Sequence, residues 1–241
     1  MDAYSAFGLL AERLDSPTLI SGRRCFQADA EANVARSVAS ALRLEKDHRL
    51  LEIGCGVGVL LTPLSEYVAE AVGIDHPACL EKYRAFGVPA NVRLAPGRWP
   101  EDRPDGLFDR ILIYSVLQYL SGADGARSFV RAAIDSLRPG GLLLVGDIPN
   151  ASARQRFLST DYGRSFAAEW AAQNADAQEG HETCDSIFSQ VDSAPVFLDD
   201  DFILGLLADT RRDGFESYLL LQPTDLPFSH TREDLLISKR D

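Results

Sequence analysis

Several things are scarce in this chain, and each scarcity closes off a class of protein. Its 241 residues include four cysteines, Cys25, Cys55, Cys79 and Cys184, and no two of them form a C-x-x-C pair. Scattered thiols of this kind read as reduced cysteines of a cytoplasmic protein. Positive charge is also short: 24 Lys and Arg face 36 Asp and Glu, for a net charge of −12. Phosphate binding along a polymer needs clustered Lys and Arg, so a nucleic-acid partner is not expected. No apolar run approaches the length of a membrane span. The segment Met1 to Leu14 carries acids and lacks the basic and apolar regions of a signal peptide. Internal repeats and low-complexity segments are absent too. What remains has the length for one α/β domain with an insertion.

The most informative stretch is Leu50-Leu51-Glu52-Ile53-Gly54-Cys55-Gly56-Val57-Gly58-Val59-Leu60. It reads as an apolar strand, a glycine-rich turn and the start of a helix. Glycine permits positive φ and lets a ligand approach bare backbone. The following helix offers unpaired N–H groups and a positive dipole end. The dinucleotide fingerprint G-x-G-x-x-G/A fails here, because its third small position falls on Val59. The pattern E/D-x-G-x-G-x-G is satisfied by Glu52, Gly54, Gly56 and Gly58. Cys55 sits inside the turn as a small side chain, with no redox role expected.

Periodicity predicts the remaining elements. Helices are expected over Tyr4–Leu14, Asp29–Leu44, from the glycine turn through Val68, over Pro77–Phe86, 124–137 and from Asp199 to Arg212. Strands are expected over Arg49–Ile53, Ala71–Asp75, Val92–Leu94, Phe108–Tyr114, Leu142–Val145, Phe215–Leu221 and Asp234–Ile237. This alternation predicts a doubly wound α/β fold with a mostly parallel sheet. It divides the chain into four blocks: an N-terminal lid segment (1–28), a ligand-binding core (29–150), a helical cap (151–198), and a return to the core (199–241). The acids Asp199, Asp200 and Asp201 read as a helix N-cap cluster rather than a metal site.

With these residues in place, the chain resembles the class I S-adenosylmethionine (SAM)-dependent methyltransferases over roughly 29–149 and 199–239. The resemblance implies a seven-stranded Rossmann-like sheet with an antiparallel last strand, and SAM as cofactor. It implies that Glu52, Gly54, Cys55, Gly56 and Gly58 carry the methionine part, that Asp75 binds the ribose hydroxyls, and that His76 lies near the adenosine. Tyr114-Ser115 and the residues up to Leu120 match the segment that lies under the sulfonium. Leu137-Arg138-Pro139-Gly140-Gly141 before an apolar strand is a further family feature. One departure stands out. Many members carry Gly-Asp after the third strand, the Asp accepting the adenine amino group; this chain has Gly97-Arg98-Trp99. Trp99 then either packs on the adenine face or plugs the core beside it. Gly146-Asp147-Ile148-Pro149-Asn150 and the terminal Leu-Pro-Phe-x-x-Thr-Arg-Glu-Asp also resemble uncharacterised bacterial methyltransferases associated with surface sugars.

Methyl transfer is an in-line displacement in which a hydroxyl acceptor benefits from a general base and a neutral amine needs little help. Asp147, Tyr119 and His230 are the candidate catalytic groups, with His181 and Asp185 further candidates in the cap. Each has a plain structural alternative: a loop cap, a core tyrosine, a surface histidine. Asp147 and Asn150 lack a further metal ligand, so no metal is expected. The predicted acceptor is a small polar molecule bearing a hydroxyl or amine, a sugar derivative for instance. It is expected to be enclosed by the cap, by Tyr4 and Phe26 of the N-terminal segment, and by the loop 222–232. A protein substrate and a non-catalytic SAM-binding role are the alternatives. The oligomeric state is open, with a homodimer among the options.

Overall fold

A computed structural model describes residues 1–23, 28–176, 181–192, 195–226 and 228–240, the side chains of 28–32 and 174–176 excepted. Phe26 and Cys25 fall outside the described residues. The elements run α1 (Ala3–Arg13), α2 (Pro17–Ile20), α3 (Ala28–Ala41), β1 (Arg49–Ile53), α4 (Leu61–Ser65), β2 (Glu70–Asp75), α5 (Pro77–Phe86), β3 (Val92–Pro96) and β4 (Phe108–Tyr114). They continue through α6 (Ala123–Asp135), β5 (Leu137–Pro149), α7 (Ala151–Leu158), α8 (Asp161–Asp176), α9 (His181–Phe188), α10 (Asp200–Arg212), β6 (Glu216–Leu220) and β7 (Arg232–Ser238).

Seven strands form one sheet in the order β3-β2-β1-β4-β5-β7-β6. The strands β1 to β5 pair in parallel, while β7 runs antiparallel to both β5 and β6. The core strands are apolar on both faces because both are covered. Leu51, Ile53, Ile111 and Ile113 face one layer, with Phe129, Ile134 and Phe202. Their alternates Leu50, Leu112 and Leu144 face the other, with Val34, Leu61 and Tyr83. The period of two along each strand is what divides the core this way. The chain order reverses between β1 and β4, the place where open α/β sheets bind ligands.

Two expectations need correcting. The helix after the glycine turn covers only Leu61–Ser65. Turn conformation persists to Leu60, and Pro63 removes an N–H from the middle of this short helix. A five-residue helix that begins beyond the glycines offers a ligand little dipole, so the turn's own backbone must do the cradling. The fifth strand is longer than expected, Leu137–Pro149, and shifts register against β7 between Val145 and Ile148. Asp147 lies in that bulge with φ of 57°.

Asp199 caps α10 by accepting the Phe202 N–H at 2.9 Å. Asn150 caps α7 through Ser152 and Ala153 and donates to Asp200 at 2.7 Å. Above the sheet's carboxyl edge, α1 and α9 share a small apolar cluster of Ala6, Leu10, Leu19, Cys184 and Ile187. The cap's last helix and the N-terminal helix therefore form one roof.

Candidate active site

A cavity of about 370 Å³ opens beneath that roof, at the carboxyl ends of β1, β2, β3 and β4. Its size falls within the range of small-molecule sites, ~300–1,000 Å³. Its floor is the glycine turn. Gly56 has φ of 55°, and nothing lies within 4 Å of where its Cβ would stand. Its N–H donates to Asp75 Oδ2 at 2.7 Å. Gly58 serves a different end. A Cβ there, at φ of 82°, would fall 2.1 Å from the ring of Tyr83. Gly58 does not line the cavity; it lets Tyr83 pack under the turn. Gly54 and Cys55 do line it. Burial pushes the Cys55 thiol well up, so it stays protonated and inert.

Glu52 is buried, and its Oε2 has no hydrogen-bond partner among the described residues. Burial drives its carboxyl well above the ordinary range, Asp75 adds to that rise, and Arg23 opposes it. A buried acceptor left unpaired costs ~1–3 kcal/mol, and this one faces the cavity. Asp75 takes the Gly56 N–H and, through Oδ1, the His76 N–H at 2.6 Å. Burial raises it while those two N–H groups pull it back down. Each oxygen keeps capacity to accept a second bond.

His76 is not among the residues lining the cavity. Its Nδ1 accepts the Ala78 N–H at 3.2 Å, which caps α5. Its ring lies against Tyr4, centroids 4.8 Å apart, and under Gly8, where a Cβ would come within 2.5 Å of it. It supports α1 from below. Gly97, Arg98 and Trp99 do line the cavity. Trp99 plugs the core, its Nε1–H fastened to the Phe129 carbonyl at 3.2 Å, and it also forms part of the cavity wall. Arg98 reaches away to Asp2 at 2.5 Å and lies 4.2 Å over the Tyr4 ring.

At the β4 end, Tyr114, Ser115 and Tyr119 line the cavity. Ser115 has φ of 57°, a strained value for a residue with a side chain. Its hydroxyl donates to Asp147 Oδ2. Asp147 lies behind Ser115 rather than on the cavity wall. Arg232 Nε stands 3.7 Å from its Oδ1, and its N–H donates to Asp234 Oδ1 at 2.8 Å. Gln222 donates to that same oxygen at 2.7 Å. Burial still leads at Asp234, pushing its carboxyl up to about 6, with Asp147 adding to it. Tyr119 packs edge-on to Phe7 at 4.9 Å and stacks on Phe188 at 5.9 Å. Burial raises its phenol, so near neutral pH it donates rather than accepts a proton.

The structure does not bring His230 to the cavity. Its ring stacks on Phe157 at 4.7 Å and 9°, with Tyr162 and Phe166 around it. Most cap aromatics thus pack on one another or, for Trp170, on Phe228 at 6.1 Å. Of the described cap aromatics, Phe188 is the one packed on cavity-lining rings. His181 is buried at the start of α9 and Asp185 is exposed on it; neither lines the cavity. Residues that sequence reasoning passed over do: Asp2, Phe7, Arg23 and Phe129. Asp2 and Phe7 carry a faint signal, an N-cap acid and an apolar helix stripe. Arg23 and Phe129 carry none.

The family model for a methyltransferase domain matches residues 26–192, more than half of the chain. The chain belongs to that family. A ubiquinone biosynthesis O-methyltransferase of Methylobacterium sp. (strain 4-46) is 30% identical over 166 residues, 63% of this chain and 60% of that protein. CymA of Salinispora arenicola (strain CNS-205), named as a probable non-canonical nonribosomal peptide synthetase, is 37% identical over 119 residues, 47% of this chain and 2% of the larger protein. The chain therefore spans at most about 60% of these relatives. In three dimensions it resembles the N-methyltransferase NodS from Bradyrhizobium japonicum WM9, crystallised with S-adenosyl-L-homocysteine (SAH). The TM-score is 0.61 at 16% identity, over 100% of both chains. Phosphoethanolamine N-methyltransferase 1 of Haemonchus contortus gives 0.67 at 17% identity, covering 99% of this chain and 49% of that one. These likenesses establish the Rossmann-like methyltransferase fold.

Proposed function

We propose that this chain is a SAM-dependent methyltransferase whose acceptor is a hydroxyl or amine of a small polar molecule. The observation that carries the reading is the buried, unpartnered Glu52 oxygen beside the open face of Gly56 and the Asp75 carboxylate. That set fits the cofactor's donors in order. Glu52 would take the ammonium of the methionine part, Gly56 would leave room for it, and Asp75 would accept the ribose diol. Arg23, on the cavity wall, suits the methionine carboxylate. When bound, SAM supplies an activated methyl group on sulfur; the chain's part is alignment and proton management.

For a hydroxyl acceptor, Ser115 and Asp147 form the proposed proton-handling pair. Ser115 faces the cavity and its hydroxyl already donates to Asp147. Arg232 and the Asp234–Asp147 N–H bond hold that carboxylate in place. Tyr119, kept protonated by burial, orients the acceptor as a donor. The roof of α1 and α9 supports a small acceptor over a protein surface, because it closes the space above the β4 end. Among the described residues no helix is long and apolar enough to cross a membrane. Calorimetry with SAH, against NAD as control, tests the cofactor. Transfer of labelled methyl from SAM to a panel of hydroxyl and amine compounds, sugar derivatives included, tests the reaction. Tight NAD binding without SAH binding refutes the reading.

A further inference from the structure

Among the described residues that line the cavity, three carry carboxylates: Glu52, Asp75 and Asp2. The first two stand at the ends of β1 and β2, which are neighbours in the sheet. Asp2 belongs to the N-terminal helix, yet Arg98 holds it over the turn after β3, the next strand out. Adjacent strands lie ~4.8 Å apart, so the row from β1 to β3 spans about 10 Å. Three groups of hydrogen-bond donors are spaced along SAM: the ammonium, the ribose diol and the adenine amino group. Glu52 and Asp75 answer the first two, and Asp2 is the acid left over, at the far end of the row.

We infer that Asp2 accepts the amino group of the cofactor's adenine, and that Arg98 is the positioning residue that aims it. The inference rests on SAM being the cofactor and is independent of the acceptor.

The local contacts leave Asp2 able to act. One carboxyl oxygen accepts the Ser5 N–H at 3.0 Å and the other accepts from Arg98 at 2.5 Å. The Ser5 hydroxyl bonds to the carboxylate as well, so of its about four acceptor sites one stays open. The nearest competitor is spent elsewhere. Asp102 Oδ2 accepts the Arg98 N–H at 2.8 Å, and the residue is tucked under Gly97 and does not line the cavity. The backbone carbonyl of Arg98 already accepts the Asp102 N–H at 2.8 Å and carries no charge, so it is the weaker acceptor beside a carboxylate. The Tyr4 ring, between Arg98 and His76, stands beside Asp2 on the same wall. Moving the acid from a fixed turn to a docked helix has a consequence. Recognition of the amino group then depends on α1 lying in place against the core.

The test uses the full chain and calorimetry with two ligands: SAH, and its analogue carrying hydrogen in place of the adenine amino group. Asp2→Asn keeps an N-cap on α1, since Asn caps about as well as Asp, but turns one acceptor into a donor. Unmodified protein should bind SAH about tenfold more tightly than the analogue, the worth of one charge-assisted hydrogen bond. Asp2→Asn should bind SAH about tenfold more weakly and lose the preference between the two. Arg98→Ala should reduce the preference by a smaller factor. Equal weakening toward both ligands, or no change toward either, overturns the role of Asp2 while leaving SAM as the cofactor. Failure of the unmodified chain to bind SAH overturns the cofactor reading as well. A thermal melt by circular dichroism confirms that each variant is folded.

Discussion

The two halves of the cavity are built differently. At the ends of β1 and β2, the polar groups are served by backbone from the same short stretches: Gly56 and His76 both donate to Asp75. At the ends of β4, β5 and β7, the polar groups come from distant parts of the chain. Ser115 meets Asp147, and Asp147 meets Arg232 and Asp234, which Gln222 then braces. The first half depends on the glycine turn after β1 and the single-residue link after β2, and has little freedom to vary. The second is a tertiary assembly set in a bulge, and such places can be rebuilt around a new acceptor without disturbing the sheet. On the proposed function, cofactor chemistry sits on the rigid half and acceptor choice on the adaptable one.

Gly58→Ala should give the largest effect and break the rigid half outright. A methyl group would enter the Tyr83 ring at a φ that only glycine adopts freely. A loss of about 3 kcal/mol or more in denaturant unfolding is expected; near-native stability would show that the turn is soft and the two halves less unlike. Next comes Asp147→Asn. Asn tolerates the left-handed backbone, so the bulge should survive while proton acceptance is lost. Turnover on a hydroxyl acceptor should drop about 100-fold with SAH affinity unchanged, whereas His230→Ala should leave turnover within about twofold. The reverse ranking would move the base out of the bulge.

Asp75→Ala should weaken SAH by about 1–3 kcal/mol in calorimetry, the range for hydrogen bonds to a charged group. An unaltered affinity would remove the ribose contact. The smallest effect concerns Asp234. Its folded pKa, raised to about 6 by burial, lies above the unfolded value. The folded state therefore holds this proton more tightly than the unfolded chain does. Stability from this group is present below about pH 4 and is lost as pH rises through about 6. In Asp234→Asn the amide oxygen can keep both accepted bonds. The variant should lose that slope and gain about 1–2 kcal/mol near pH 7, read from urea midpoints across pH 4 to 8. A slope that persists would place the titrating group elsewhere.

The same division governs how much was legible beforehand. Glu52, Gly54, Gly56 and Asp75 could be read from the chain because their partners are sequence neighbours or sit at a fixed βαβ spacing. The mostly parallel, doubly wound sheet came from the alternation and the antiparallel β7 from the family resemblance, while the strand order is read from the fold. Asp147 could be noticed at a strand end, but its link to Ser115, Arg232 and Asp234 could not. His230 has a loop address on the ligand edge that the structure spends on an aromatic stack with Phe157. Gly58 looked like one more ligand glycine, and its reason is a ring from α5.

The sequence alone determined the doubly wound sheet, the glycine turn, and the acids at the ends of β1 and β2. Hydrophobic period and local turn chemistry act over a few residues, and a reader of the chain can see both at once. The tertiary structure alone decided the roof, where α1 and α9 share one apolar cluster, and the pairing of Arg98 with Asp2 across 96 positions. It also decided which titratable groups line the cavity and which are spent on capping. Those outcomes depend on how amphipathic helices pack over a finished sheet, and side chains far apart in sequence become neighbours only when that packing is complete.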